Sequence, residues 1–158
     1  MEREQLAKEV VTIVTELIGK MGFIATVEVK NEEEEGKEVI ICDIKTEDSN
    51  FLIGQYGLNL QSLQHIVRVI IRKRLPESVN FILDVNSYRQ EKNDSIARLA
   101  KNLAQEVVTE KKEVVMRPMT AYERRIVHME LSKNDQIKTE SIGEGESRRI
   151  VIKPSESV

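Results

Sequence analysis

The chain has 158 residues, 40% hydrophobic and 32% charged, a length that suits one ordinary domain or two small ones. With no Trp and only 4% aromatic residues, any core must be mostly aliphatic. A formal net charge of -3 excludes a strongly basic nucleic-acid clamp, and no stretch approaches the ~18 apolar residues of a membrane span.

Leu6, Val10, Ile13, Val14 and Leu17 recur at helical spacing and predict an amphipathic helix over about residues 3–19, stopped by Gly19 and Gly22. The opening Met-Glu-Arg-Glu-Gln lacks the basic-then-apolar order of a signal peptide, so the expected location is the cytoplasm. Phe23–Lys30 alternates as a strand, Asn31–Lys37 reads as a polar turn, and Val39–Ile44 as a second strand, giving a hairpin. The run Glu32–Glu35 falls in that turn and reads as a solvated tip. It accounts for much of the acidity of residues 1–85, which carry 10 Lys and Arg against 15 Asp and Glu, while residues 86–158 carry 14 against 12. The single cysteine, Cys42, lies in an apolar run and is expected to be a buried, inert thiol.

Asp48-Ser49-Asn50 offers helix caps, and Phe51-Leu52-Ile53 fits one short helical turn. After Gly54-Gln55-Tyr56-Gly57, a second helix runs from about Leu58 to Lys73 with Leu60, Leu63, Val67 and Ile70 inward, ended by Pro76. Phe81–Val85 is a third strand, and Asn86-Ser87 is the expected domain boundary. Ser87-Tyr88-Arg89-Gln90 resembles a capping box opening a long helix whose apolar stripe is Ile96, Leu99, Leu103 and Val107. Arg117-Pro118-Met119 breaks the chain, and Thr120-Ala121-Tyr122-Glu123 is a second capping-box match, opening a helix to about Ser132. Gln136–Ile142 and Arg148–Lys153 form a hairpin closed by Gly143-Glu144-Gly145-Glu146.

The two glycines at 54 and 57 permit positive φ and close backbone approach, and they feed a helix N-terminus whose free N–H groups and dipole favour a phosphate. Gln61, His65, Arg68 and Arg72 fall roughly on one polar face of the following helix. A tight helix–helix turn is the alternative reading of the same four residues. The order helix, strand, strand, Ile-Gly-x-x-Gly, helix, strand resembles a KH domain, whose loop clamps the backbone of unpaired nucleotides. That resemblance assigns Ile53, Gly54, Gln55, Tyr56 and Gly57 to an RNA-binding groove, and Arg68 and Arg72 of the polar helix face are expected to continue it as an electrostatic path. The loop departs from the basic pattern of strong binders, because Gln55-Tyr56 carries no positive charge between the glycines.

Arg124 and His128 stand one turn apart on a predicted helix and project from one face, suiting phosphate contact and base stacking. An exposed arginine beside a structural histidine is the alternative. The segment from Arg117 to His128, followed by Ser141–Ile152, resembles an R3H nucleic-acid-binding domain, which would place Arg117 and Arg125 around the Arg124/His128 pair. Arg148 or Arg149 would join them, since neighbours on a strand point to opposite faces.

The two motifs in this order, over about residues 3–154, resemble the bacterial Jag family, also known by the names KhpB and SpoIIIJ-associated protein. The resemblance implies an α+β fold of two small domains: residues 1–85 with a KH-type three-stranded sheet and helices on one face, and 86–158 with an R3H-type helix and small sheet. It implies a non-catalytic protein that binds single-stranded RNA, with a lone-KH protein as companion or a homodimer. Many members carry an N-terminal Jag domain on a charged linker, which this sequence is expected to lack. Two other classes compete: a protein-interaction or dimerisation module, motivated by the uncharged loop and negative charge, and a single-stranded DNA binder. No catalytic residue, metal site or cofactor is expected: His65 and His128 are far apart in sequence, and Asp43, Asp84 and Asp135 form no cluster.

Overall fold

A computed structural model describes residues 2–156. The chain divides into two compact units, Met1–Arg89 and Gln90–Val158.

In the first unit, α1 (Arg3–Lys20) buries Ala7, Val10, Ile13, Val14 and Ile18 along one face. The strands β1 (Thr26–Glu34) and β2 (Lys37–Lys45) pair antiparallel, with Thr26 opposite Lys45 and Glu34 opposite Lys37. The acidic run is therefore part of the strand and not a loop. A two-residue turn at Glu35-Gly36, with φ of 52° and 75°, replaces the longer turn expected over Asn31–Lys37. Both residues adopt the left-handed geometry whose twist matches that of the flanking strands. Backbone pairing is indifferent to side-chain polarity where both strand faces are solvated, so Glu32–Glu34 stay extended.

Next come α2 (Ser49–Ile53), a single 3-10 turn over Gln55–Gly57, and α3 (Leu58–Arg74). They form the crossover that lets β3 (Phe81–Val85) pair parallel to β2. The sheet order is β1-β2-β3. Ile40, Cys42 and Ile44 of β2 and Phe81, Leu83 and Val85 of β3 alternate onto the face that packs with α1 and α3. Burial pushes the Cys42 thiol up to about 11, so it stays protonated and unreactive. Ile71, not Ile70, completes the fully buried stripe of α3, which also buries Gln64. The Gln64 amide donates to Phe81 O at 3.0 Å and accepts from Leu83 N, covering the outer edge of β3 as another strand would.

The exit from β3 differs from the capping box expected at Ser87. Asn86 and Ser87 both have positive φ, 48° and 57°. The Ser87 hydroxyl donates to Asp43, and the Arg89 N–H donates to the Asp84 carboxylate at 3.2 Å. Asp43 and Asp84 are register partners on β2 and β3, so the sheet itself supplies the acceptors for the first turn of α4 (Tyr88–Glu110).

In the second unit, α4 buries Ile96, Ala100, Ala104 and Val107. The expected stripe through Leu99 and Leu103 is rotated by one residue: Leu99 is exposed and Leu103 only partly buried. The small alanines face Val127 and Leu131 of α5 (Ala121–Leu131) and Ile150 and Ile152 of β6 (Arg149–Pro154) in one cluster, with bulk supplied from those partners. The helix α5 opens on the full capping box: Thr120 accepts from the Glu123 N–H, and Glu123 accepts from the Thr120 N–H. The strand β6 pairs antiparallel with β5 (Ile137–Ile142) and with β4 (Val114–Val115), a two-residue strand not foreseen from sequence, in the order β4-β6-β5.

Candidate nucleic-acid interface

The loop between α2 and α3 is built on backbone geometry that only glycine accommodates well. Gly54 has φ 70° and ψ -178°, a region closed to residues with a Cβ. A Cβ there would lie 2.5 Å from Cγ of Asn59. Asn59 is held in that place because its side-chain amide donates to Phe51 O at 2.9 Å. Tyr56 and Gly57 are also left-handed, with φ of 57° and 79°. The Gly57 N–H returns to Gly54 O, and the Leu58 N–H to Gln55 O. Gly57 is the N-cap of α3 and offers no side chain to the helix's first N–H groups.

Around this turn Ile53 is half-buried against the core, while Gln55 and Tyr56 are exposed. Gln61, His65, Arg68 and Arg72 are all exposed along α3. Leu58, Ile66 and Val69 are exposed on the same helix, so its outer surface mixes cations with apolar side chains. Sequence reasoning passed over Asn59 and Tyr88, whose ring lies against Gly57. Asn59 lies two residues past Gly57, close enough to be read with the motif; Tyr88 lay past the expected boundary and had no such signal.

In the second unit, Arg124 and His128 do share a face of α5, and both are half-buried. The Arg124 guanidinium donates to Met119 O at 2.6 Å. Both ring nitrogens of His128 are engaged by hydroxyls of β5, Nδ1 with Thr139 Oγ1 at 2.6 Å and Nε2 with Ser141 Oγ at 3.1 Å. The alternation of β5 was the available signal for these two hydroxyls, since it puts them on the face of buried Ile137. Burial, reinforced by the nearby Arg124 charge, holds the His128 imidazole below its ordinary value, so it is neutral at pH 7. Arg125 is exposed. Arg117 is half-buried, 3.7 Å from Glu123, and donates to Pro118 O. Buried Glu123 also pairs with Lys92 at 2.6 Å, so the capping box doubles as an anchor for two cations. Arg148 precedes β6 and donates to Gly143 O, whereas Arg149 opens the strand and donates to Ser147 O.

Among the described residues, no group of three or more His, Cys, Asp or Glu side chains is placed to hold a metal ion. Among them, too, no helix is long and apolar enough to cross a membrane.

Residues 94–154 match the R3H domain family. Most of the chain is similar to proteins named RNA-binding protein KhpB. The Clostridium symbiosum protein is 31% identical over 150 residues, covering 95% of this chain and 67% of the relative. The Bacillus subtilis (strain 168) protein is 35% identical over 121 residues, 75% of this chain and 58% of the relative. The Streptococcus pneumoniae protein is 27% identical over 149 residues, 94% of this chain and 44% of the relative. The second unit thus carries an R3H domain within an α+β chain. The chain belongs to the KhpB, or Jag, family, and spans about two thirds or less of the length of these relatives.

Proposed function

We propose that this protein is a non-catalytic binder of single-stranded RNA, with one contact surface in each unit. The observation that carries the reading is the Gly54–Gly57 turn, whose left-handed backbone leaves the start of α3 without a side-chain cap. A phosphate is the natural occupant of such a helix start. The relatives' shared name, RNA-binding protein, supports RNA as the polymer. The first unit is read as KH-like. In it, Gly54, Gln55, Tyr56 and Gly57 approach the strand's backbone, Ile53 borders the bases, and Arg68 and Arg72 supply charge that the loop lacks. In the second unit Arg117, Arg124 and Arg125 face flanking phosphates. His128 keeps α5 seated on β5 through Thr139 and Ser141, and so fixes where Arg124 and Arg125 stand. The domain limits follow the motifs, a KH-like part over 1–85 and the R3H part over 86–158, and the cell compartment proposed is the cytoplasm.

Fluorescence anisotropy with short single- and double-stranded RNA and DNA across salt tests this. Binding to single-stranded RNA should weaken with a log–log salt slope of about -0.7 per phosphate neutralised. No binding at ~50 mM salt would sink it. Equal affinity for DNA would make the protein a general single-strand binder, indifferent to the 2′-hydroxyl.

A second reading, a protein-interaction module acting as homodimer or with a lone-KH partner, is favoured by the exposed Leu58, Ile66 and Val69 on α3. A molecular mass above that of one chain in solution, lowered by a charge at Ile66, would support it.

A further inference from the structure

The outer face of α5 carries Tyr122, Arg125 and Met129 at spacings of three and four residues, which puts them side by side. Tyr122 is 58% exposed and Met129 62% exposed, while Glu123, Val127 and Leu131 fill the opposite face. The Tyr122 hydroxyl is not loose: the Asn93 side-chain amide of α4 donates to it at 3.0 Å. The side chain is therefore anchored at its polar tip while remaining largely solvent-exposed. Two features narrow what it is open to. The exposed Arg125, one turn along, suits a phosphate and not an apolar protein patch. A pinned aromatic also loses little side-chain freedom on stacking, and a base offers the flat partner it fits.

We propose that Tyr122 is a stacking platform for one unpaired base, with Arg125 holding the adjoining phosphate and Met129 bordering the base. This rests on the RNA-binding reading above and adds to it a reason for preferring single strands. A base inside a duplex has both faces covered, so Tyr122 discriminates against paired RNA without any sequence readout.

The test uses the full chain and a fluorescein-labelled single-stranded oligoribonucleotide, alone and annealed to its complement. Tyr122→Ala should weaken single-strand binding by roughly 5- to 150-fold, the range of one base stack, with the salt slope unchanged. Duplex binding should not change. Tyr122→Phe keeps the ring and should restore most of the affinity. Arg125→Ala should instead reduce the salt slope by about 0.7. At saturating protein, a fluorescent purine in the strand should be quenched by wild type and Tyr122→Phe but not by Tyr122→Ala. Because Tyr122 is exposed, its truncation should leave the unfolding midpoint near wild type, which separates lost stacking from lost fold. Wild-type binding with no effect of Tyr122→Ala overturns the platform and leaves the RNA reading standing. An equal loss on single strands and duplexes, or altered self-association without altered RNA binding, also overturns it. Failure of wild type to bind any RNA removes both.

Discussion

Gly57 and Tyr88 stand so close that a Cβ at position 57 would fall 3.0 Å from Cε1 of the tyrosine ring. The Tyr88 ring thus forms a wall of the Gly54–Gly57 loop. Replacing these glycines tests the fold as well as ligand binding. At Gly54 the backbone lies in a region nearly exclusive to glycine, and Asn59 already fills the space. Gly54→Ala should therefore lower stability by about 1–3 kcal/mol. It should also break the bond from Asn59 to Phe51 O. Gly57→Ala, in the milder left-handed helical region, should cost about 1 kcal/mol from the backbone, with Tyr88 adding a steric share. Urea unfolding of both variants checks the order. Gly57→Ala in a Tyr88→Ala background should recover only the steric share. Binding tests on the loop are better made at Gln55 and Tyr56, whose exposed side chains leave this packing intact.

Gln64 offers a second prediction. Its amide satisfies two backbone groups of β3 from within the buried face of α3. Gln64→Leu fills similar volume but orphans Phe81 O and Leu83 N, at roughly 1–3 kcal/mol for each group that water cannot reach. Gln64→Glu should also destabilise at neutral pH, since a carboxylate cannot donate to Phe81 O. Hydrogen exchange at the Leu83 N–H should accelerate in Gln64→Leu more than at the Cys42 N–H on the central strand. Equal protection at both sites would mean the amide does not guard the edge.

Much of this architecture is legible in the sequence because the period of the apolar residues changes from helix to strand and back. The Thr120 capping box could be read directly, since its two partners lie three residues apart. What escaped depended on partners distant in sequence. Ser87 looked like a cap, yet its positive φ and its bond to Asp43, 44 positions away, give it another role. Ala100 and Ala104 lie inward while Leu99 stays out, because large residues on α5 and β6 supply the bulk. At the proposed interface, the glycines and Arg124 could be picked out by motif. The ring of Tyr88 could not, because it is brought in by folding. The amide of Asn59 and the hydroxyls of Thr139 and Ser141 had position alone as a signal, two residues past the glycine loop and on one face of an alternating strand.

Asp43 and Asp84 make the third prediction, because two neighbouring carboxylates are driven apart. Burial opposes charge on Asp43, but Lys45 at 2.8 Å and the bonds from Ser87 outweigh it and hold the carboxyl below its usual range. Burial raises Asp84, and the Asp43 charge adds to this against the N–H groups of Val85 and Arg89. A carboxyl raised in the folded state is more easily protonated there than in the unfolded chain. It therefore favours folding at low pH and loses that contribution as pH rises through its folded value. Asp84→Asn keeps an oxygen for the Val85 and Arg89 N–H groups and removes the buried charge. It should raise the urea midpoint at pH 7, with the gain shrinking as pH approaches the ordinary aspartate value of 3.8. A lower midpoint at pH 7 would mean that the attraction of Arg89 outweighs burial.

His128 gives the fourth prediction, with the opposite pH sense. Its place in the last turn of α5 favours a cation by about 0.3–1 kcal/mol. Burial and the Arg124 charge act against the cation and prevail, lowering its value from 6.5. The unfolded chain then takes up the proton first. The contribution of His128 to stability is present above pH 6.5 and is lost as pH falls through the lower folded value. Thr139 and Ser141 can accept from either ring nitrogen, so protonation need not break both bonds. The loss comes from placing a second charge beside Arg124 in a half-buried site. His128→Gln removes the titration while keeping a polar side chain. Between about pH 7.5 and about pH 5, the urea midpoint of wild type should fall further than that of His128→Gln. Parallel falls would assign the pH dependence to other groups. The ring's proton signals, followed by NMR, should titrate with a midpoint below 6.5.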